Sequence, residues 1–172
     1  MKKLLLITTV ILCVPIMVWA AQGKAVIKGT ALDSKISGDV TLTEENGGLT
    51  VEVKVANVPP GKHGFHIHEN GSCEDMGKAA GGHFNPDGVM HGNMPKDGHM
   101  KAHAGDMGNI EVGADGTGTL KALLAEDTLK VGKYGVAGKS IILHEKEDDF
   151  GQPTGNAGGR IGCGIIEIEE TK

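Results

Sequence analysis

GLTVEVKVAN, residues 48–57, alternates apolar and polar side chains along most of its length. Successive side chains of an extended strand point to opposite faces, so this alternation predicts a β-strand with one buried and one solvated face. An Asn-Gly turn signal at residues 46–47 separates it from a second alternating run, SGDVTLTEE, at residues 37–45. This region is therefore expected to form sheet and not helix.

The same pattern recurs through the rest of the chain. Six further candidate strands are KAVIKGTALD (24–33), GFHIHE (64–69), NIEVGAD (109–115), GTLKALLAE (118–126), KSIILHE (139–145) and CGIIEIEE (163–170). No segment has a convincing helical period, and 28 glycines among 172 residues favour turns and loops. The sequence therefore predicts an all-β sandwich or barrel built from these eight strands.

Two long segments fall outside the strand pattern, at about residues 69–108 and 145–162. Loops of this length inside a compact domain are usually functional. The chain is long enough for one domain with its own core, and it contains neither an internal repeat nor a linker. We therefore expect one domain that carries two long functional loops.

The first 20 residues, MKKLLLITTVILCVPIMVWA, have two lysines, a continuous apolar run and a Val-Trp-Ala end. These are the regions of a secretory signal peptide, here of bacterial type. An uncleaved membrane anchor is the alternative, but the apolar run is short and contains Pro15. We expect residues 1–20 to be a signal peptide and residues 21–172 to be the mature domain. The product would be periplasmic or extracellular, without stable membrane insertion.

The charge of the chain excludes some partners. Its 17 basic and 22 acidic residues give a formal net charge of −5. Cleavage after Ala20 removes Lys2 and Lys3 and no acid, so 15 basic residues remain against 22 acidic ones and the charge becomes −7. Nucleic acids and anionic membrane surfaces bind basic faces, so neither is expected as a partner.

Cleavage also leaves two cysteines, Cys73 and Cys163. In an exported chain, a pair of cysteines meets an oxidising environment and most simply forms a disulfide bond. Two buried free thiols are the alternative. We expect the disulfide bond.

Three histidines occur within six residues in HGFHIHENGSC, residues 63–73. His66 and His68 are two positions apart in a candidate strand, so their rings share one face with roots about 7 Å apart. Ile67 would point to the opposite face, into the core. Two such rings can converge on one metal ion, although this pair alone does not distinguish a site from a coincidence.

The first long loop and a later strand supply the other candidate ligands. These are His83, His91, His99, His103, Asp106 and, near the end of KSIILHE, His144. Three histidines and one aspartate from a single loop suit a closed, four-coordinate zinc site. Four histidines, two of them on one strand, suit a tetragonal nitrogen site that favours Cu(II). The residues therefore indicate metal binding, with zinc and copper as the candidates.

Five motifs occur in order over nearly the whole mature chain: GFHIHENGSC, GGHFNP, HAGDMGN, LHEKEDDFG and GNAGGRIGCGII. Together they resemble the copper/zinc superoxide dismutase family. The resemblance implies an eight-stranded Greek-key β-barrel with one copper and one zinc per chain. It also implies an exported antioxidant enzyme that converts superoxide to hydrogen peroxide and dioxygen.

The resemblance assigns the metal ligands. Copper would be bound by His66, His68, His83 and His144, and zinc by His83, His91, His103 and Asp106. His83 would bridge the two metals and carry a proton during catalysis. His63 and His99 have no metal role in the family pattern, and a hydrogen-bonded structural role is expected for His63.

The resemblance also implies roles outside the ligand sets. Arg160 would attract the superoxide anion, and Asp148 would join a copper ligand to a zinc ligand. Thr154 would line the active-site pore. A disulfide bond between Cys73 and Cys163 would tether the first long loop to the last strand.

A non-enzymatic copper carrier or buffer on the same fold is the alternative function. Such a protein would be expected to lack a copper ligand or Arg160, or to carry a CxxC transfer motif. This chain has every ligand and no CxxC. The sequence therefore favours the enzyme, with superoxide as its substrate. Members of the family pair through different faces, so the resemblance is also compatible with a homodimer.

Overall fold

The computed structural model describes residues 21–45, 47–130 and 132–169, so the predicted signal peptide lies outside the described residues. It contains nine strands: β1 (Gln22–Gly29), β2 (Ser37–Glu45), β3 (Gly48–Ala56), β4 (Gly61–His68), β5 (Asp106–Val112), β6 (Gly118–Ala125), β7 (Ser140–His144), β8 (Arg160–Ile165) and β9 (Glu167–Glu169). Between β4 and β5 lie a 3₁₀ turn, Lys78–Ala80, and one short helix, α1 (Met94–Asp97). Neither was predicted.

The strands form one antiparallel sheet in the order β2-β3-β6-β5-β4-β7-β8-β1-β9, and β1 also pairs with β2. That pairing closes eight strands into a barrel, while β9 adds a short pairing to β1. The consecutive strands β3 and β4 are separated in the sheet by β6 and β5, which is Greek-key connectivity. The predicted eight-stranded Greek-key barrel is confirmed, with one extra short strand.

The residues that predicted the strands fill the barrel. In β3, Leu49, Val51 and Val53 are buried, whereas Glu52 and Lys54 between and beyond them are exposed. The largest fully buried side chains of the strands in this core are Phe65, Ile27, Leu42, Leu49, Ile67, Ile110, Leu124, Ile141 and Leu143, whereas Ile142 packs separately against Ala80 and Cys163. Burial of one side chain of this size contributes about 1.5–3 kcal/mol. The barrel is therefore a well-packed support for residues on its outer face.

β5 begins earlier than predicted. Its first residue is Asp106, three positions before the candidate strand NIEVGAD. Asp106 pairs with His66 of β4 after a shift of register in the β4–β5 ladder. The extension was not visible in the sequence because HAGDMG has no alternating pattern and depends on a distant strand for its pairing.

The predicted strand CGIIEIEE is interrupted. Ile166 lies between β8 and β9 and is buried. Its N–H donates to the carbonyl of Lys139, and its carbonyl accepts from the N–H of Gly138. The chain leaves the sheet for one residue to make these contacts, and alternating polarity alone does not show such a break.

A disulfide bond joins Cys73 in the first long loop to Cys163 in β8, with their Cα atoms 5.7 Å apart. The alternative of two free thiols is therefore wrong. The two cysteines are 90 positions apart in the chain, so the bond ties the loop directly to the barrel. Within the described ranges, no helix combines the length and the apolar character needed to cross a membrane.

Candidate metal centre

β4 carries the HxH pair at its C-terminal end. Phe65 and Ile67 point into the barrel and are fully buried, so His66 and His68 share the opposite face, as predicted. These two histidines are buried as well. The outer face of β4 is therefore covered by other parts of the chain, and the rings lie in an interior environment.

Two further histidines reach the same face. His144 is the last residue of β7, and His83 of the first long loop forms an isolated bridge with His68. The ligand nitrogens of four buried histidines lie within 4.8 Å of one another: His66, His68, His83 and His144. We call these four residues the first cluster. The structure thus brings together the four residues that the resemblance assigned to copper.

Acceptors outside the two candidate ligand sets determine which nitrogens of His66 and His68 can bind a metal. His66 Nε2 lies 2.7 Å from the carboxylate of Asp148, and His68 Nδ1 lies 3.0 Å from the carbonyl of Gly81. Both partners accept, so these nitrogens carry the hydrogen and the opposite nitrogens keep their lone pairs. His66 Nδ1 is buried without a hydrogen-bond partner, and His68 Nε2 lies 3.4 Å from His144 Nε2. A metal ion would satisfy these facing lone pairs.

Burial favours the neutral form of three rings of the first cluster, those of His68, His83 and His144. Loss of water lowers the pKa of His68 to about 2 and that of His144 to about 3, and neighbouring histidines act in the same direction. Burial also lowers the pKa of His83 to about 4, although a hydrogen bond to Asp106 acts to raise it. Neutral imidazole is the form that binds a metal ion. The protein therefore holds these ligands ready for metal at neutral pH.

His83 also belongs to a second cluster. Its other members are His91, His103 and Asp106, and the four ligand atoms lie within 4.8 Å of one another. The Nδ1 atoms of the histidines all face the Asp106 carboxylate, at 2.8 Å for His83, 2.8 Å for His91 and 3.1 Å for His103. Three nitrogens and one carboxylate form a ligand set that suits zinc.

Backbone groups hold Asp106 in place. Its Oδ2 atom accepts the N–H groups of Gly92 and His103, both at 3.0 Å. Burial acts to raise the pKa of Asp106, but hydrogen bonds from the surrounding histidines outweigh burial and hold this pKa far below its usual range. Asp106 is therefore an anion inside the protein, which is the form that coordinates a metal.

Asp148 lies between the two clusters. Its carboxylate is 2.7 Å from His66 Nε2 and 2.9 Å from His91 Nε2. The N–H of Phe150 donates to it at 2.8 Å. Asn109 clamps the backbone, since its side chain donates to the Asp148 carbonyl and accepts from the Asp148 N–H. Asn109 was not singled out from the sequence, although it closes the motif HAGDMGN.

Gly64 allows the second long loop to approach β4. A Cβ atom at this position would lie 2.9 Å from the Cβ of Ala157 and 3.4 Å from the Cβ of Asp148. Any side chain would therefore push the loop that carries Asp148 away from the strand. The sequence analysis missed this role. A glycine within a strand is the signal that would have suggested a close approach of another backbone.

Arg160 opens β8 and pairs with His144 of β7. Its guanidinium donates to the carbonyls of Gly77 and Gly81, each at 2.5 Å. The Gly81 carbonyl is also the acceptor for His68 Nδ1. One oxygen atom thus orients both a ring of the first cluster and the guanidinium. Partial burial lowers the pKa of Arg160, but a guanidinium keeps its charge at all ordinary pH values.

Neither cluster contains Thr154, His63 or His99. Thr154 is exposed in a turn of the second long loop, and its pore-lining role stays a prediction. His63 is buried, with its ring nitrogens 2.9 Å and 2.8 Å from the carbonyls of His144 and Pro59, as expected for a structural histidine. His99 is buried outside both clusters.

The fold and the site together define a class of protein. It is a β-barrel protein with two adjacent groups of candidate metal ligands, one of four nitrogens and one of three nitrogens and a carboxylate, that share a histidine. The four nitrogens of the first cluster, among them the unpartnered His66 Nδ1, fit copper. The three nitrogens and one carboxylate of the second cluster fit zinc.

Comparison with known proteins names the family. The model of the copper/zinc superoxide dismutase family matches residues 36–166. The extracellular superoxide dismutase [Cu-Zn] of Drosophila melanogaster is 40% identical over 147 residues, which cover 80% of this chain and 78% of the fly protein. A crystal structure of the clock protein EA4 matches with a TM-score of 0.77 and 33% identity, over 89% of this chain and 98% of that chain.

The chain belongs to the copper/zinc superoxide dismutase family. It is an enzyme that dismutates superoxide, and its metals are copper and zinc.

Proposed function

We propose that the first cluster holds copper and the second holds zinc, with one ion of each per chain. The observation that carries this assignment is His83, which belongs to both clusters and directs its Nδ1 atom to Asp106. One imidazole can bind two ions only through its two nitrogens. The other nitrogen of His83 would then serve the first cluster. His83 would therefore be the ligand that the two ions share.

Copper supplies the one-electron redox chemistry of dismutation, and zinc, which has none, supplies a fixed charge. The protein's own contribution is orientation. Acceptors on the far nitrogens of His66 and His68 hold these rings with their lone pairs inward. Asp148 contacts His66 on one side and His91 on the other, so the geometry of each site depends on the geometry of the other.

Attraction of the substrate must be local, because superoxide is an anion and the chain has a formal net charge of −5. Arg160 supplies a cation that hydrogen bonds hold beside His68. We also propose that the His83 nitrogen facing the first cluster delivers a proton to the product. A cation bound at Nδ1 would lower the pKa of the N–H on the opposite nitrogen, so that nitrogen could give up its proton and take one back.

Two substitutions test the division of ligands. His91→Ala removes a residue of the second cluster alone, so the variant should lose zinc while copper stays bound. His144→Ala removes a residue of the first cluster alone, so the variant should lose copper and activity while zinc stays bound. The measurement is copper and zinc content by elemental analysis, together with superoxide consumption. Loss of the same metal from both variants would show that the division is wrong.

The family and the extracellular fly relative support an exported enzyme. We propose that residues 1–20 are a signal peptide of bacterial type that is cleaved after Ala20. The mature enzyme, residues 21–172, would then act in the periplasm or outside the cell, without stable membrane insertion.

We also propose a homodimer that forms through β1 and β8. Val26 and Ile165 are exposed apolar side chains that line one shallow cavity beside the disulfide bond. Exposed apolar side chains grouped in this way are typical of interaction surfaces. The wild-type protein should sediment as a dimer and Val26→Lys should sediment as a monomer. A monomeric wild type would contradict this proposal.

A further inference from the structure

A polar cluster around the buried side chains of His99 and Asp127 lies outside the metal centre, where the loop between β4 and β5 meets the connection between β6 and β7. We call residues 69–105 the zinc loop and this group the anchor cluster. Its members are Asp87 and His99 of the zinc loop, with Ala125, Asp127 and Tyr134 at or after the end of β6. Because buried polar groups are costly, such a cluster calls for a physical role.

His99 spans the junction between the two segments. Its Nε2 atom lies 2.6 Å from the carbonyl of Ala125, the last residue of β6, and 3.3 Å from Oδ1 of Asp127. A carbonyl only accepts, so Nε2 carries the hydrogen and donates it. The ring centroid lies 4.3 Å from that of Tyr134. One hydrogen bond and one ring contact thus attach the zinc loop to the barrel.

Asp87 makes a second attachment. Its Oδ1 atom accepts from Lys133 Nζ at 2.5 Å and from the Tyr134 hydroxyl at 3.3 Å. Its Oδ2 atom lies 3.9 Å from His99 Nδ1. The Asp87 side chain is 18% exposed, so solvent partly screens its ion pair with Lys133. The hydrogen bond of His99 is the more deeply buried attachment.

The segment that receives these contacts is itself fixed to the barrel. Leu129 and Val136 are fully buried. The N–H of Leu129 donates to Glu44 Oε1 at 2.6 Å, and the N–H of Glu126 donates to the carbonyl of Gly47 at 3.0 Å. The connection after β6 is therefore a firm surface against which the zinc loop can be held.

A hydrogen-bonded turn links His99 to the second cluster. The N–H groups of Lys101 and Ala102 donate to the carbonyl of Gly98 at 3.0 Å and 3.1 Å. Ala102 is fully buried, and His103 follows it directly. A restraint at His99 therefore limits the positions that the His103 ring can take.

We propose that His99 is a positioning residue for the zinc ligands His91 and His103, between which it lies in the chain. The proposal rests on the proposed assignment of zinc to the second cluster. Attachment of His99 to Ala125 restricts the zinc loop before metal binds. A ligand set that is already in place loses less conformational entropy on binding, so its affinity is higher.

Two variants at position 99 separate positioning from general stability. His99→Leu keeps an apolar side chain against Tyr134 but removes the donor to Ala125. His99→Gln keeps an N–H donor of similar reach. Met100→Leu, at an exposed neighbouring position, is the matched control. The measurement is the zinc dissociation constant by chelator competition and, separately, the copper dissociation constant.

We expect His99→Leu to weaken zinc binding by about tenfold or more, in the range found when groups that orient metal ligands are removed. Copper binding should change little, since three of the four copper ligands lie outside the zinc loop. His99→Gln should recover most of the zinc affinity, and Met100→Leu should match the wild type. Unchanged zinc affinity in His99→Leu, equal losses for both metals, or no recovery in His99→Gln would overturn the proposal.

Asp87→Ala keeps the test available if His99→Leu does not fold, because this side chain is partly exposed and its removal leaves the core intact. Asp87→Ala should weaken zinc binding several-fold and leave copper binding unchanged. Unchanged zinc binding in this variant would count against the anchor cluster. The ligand assignment has its own control in His91→Ala. Undiminished zinc affinity in His91→Ala would overturn the assignment of zinc to the second cluster. Loss of zinc from His91→Ala together with normal zinc affinity in His99→Leu would overturn only the proposed role of His99.

Discussion

The carbonyl oxygen of Gly81 accepts hydrogen bonds from both His68 Nδ1 and Arg160 Nη2. The guanidinium cannot move away without giving up these acceptors, so its charge is placed beside His68, a proposed copper ligand, when the protein folds. A charge held in this way acts on the substrate without further reorganisation. Substitution of Arg160 therefore tests catalysis, whereas substitution of the histidines tests metal binding.

Arg160→Ala should reduce kcat/KM for superoxide by about tenfold, equivalent to roughly 1.4 kcal/mol of transition-state stabilisation, while both metals stay bound. The wild-type rate should fall as salt rises, because attraction by a local charge is screened over about 8 Å at physiological ionic strength. This dependence should flatten in the variant. Pulse radiolysis across a salt series measures both effects.

Lys121→Ala is the control for Arg160, because it removes one positive charge from an exposed residue paired with Glu52. It should leave the rate close to that of the wild type. Equal rates and equal salt slopes for Arg160→Ala and the wild type would show that the arginine has no part in attracting the substrate.

Asp127 has an unusual environment for an acid. Both of its carboxylate oxygens are buried without a hydrogen-bond partner, and the groups facing it are His99, whose Nε2 is 3.3 Å away, and the charge of Glu126. Burial, with a smaller effect of Glu126, raises the pKa of Asp127 from 3.8 to about 8. The folded protein thus keeps a proton on Asp127 between about pH 4 and pH 8 that the unfolded chain has lost.

The free energy of unfolding should therefore contain a term from Asp127 that falls as pH rises through this window. Asp127→Asn lacks this term, so its stability relative to wild type should be higher at about pH 8 than at about pH 5. Urea unfolding of both proteins at both pH values measures the difference, and groups common to the two proteins cancel. A difference that does not vary with pH would contradict the raised pKa.

At the scale of the elements, the zinc loop is attached to the barrel at separate places. The disulfide bond holds its first part to β8, and the residues around it include Gly77, whose carbonyl accepts from Arg160. The anchor cluster holds its later part to the end of β6. A loop of this length would otherwise have many conformations, and each attachment removes some of them.

Replacement of Cys73 and Cys163 by serine should lower the free energy of unfolding by about 2–5 kcal/mol, because the unfolded chain gains the freedom that the cross-link removed. Denaturant unfolding with and without reductant is the measurement. Reductant should destabilise the wild type and leave the double variant unchanged. A wild type that is insensitive to full reduction would show that the bond adds nothing to stability.

At the scale of the whole molecule, the fold begins close to the predicted cleavage site. The carbonyl of Ala21 accepts from the N–H of Glu44, and β1 begins at Gln22. Cleavage after Ala20 would therefore leave every residue of β1 in place. We predict that the mature protein begins at Ala21, and intact-mass measurement of the exported protein tests this. A mass that includes residues 1–20 would contradict both the cleavage and the proposed release from the membrane.

Local pattern and ligand chemistry could be predicted from the sequence. Alternation of polarity depends on adjacent residues, so it identified eight strands and the shared face of His66 and His68. Short motifs identified the two histidine-rich groups and the pair of cysteines, because ligand identity belongs to single residues. The extension of β5 to Asp106 and the break at Ile166 were missed because each depends on pairing with a distant segment.

Contacts between distant residues were decided by barrel closure alone. His66 and Asp148 are 82 positions apart, and Arg160 and Gly81 are 79 apart, yet each pair forms a hydrogen bond. Which nitrogen of a histidine keeps its lone pair depends on such partners, and so does the place of His99 in the anchor cluster. No local sequence pattern predicts these contacts, because strands from opposite ends of the chain become neighbours only when the Greek-key sheet closes.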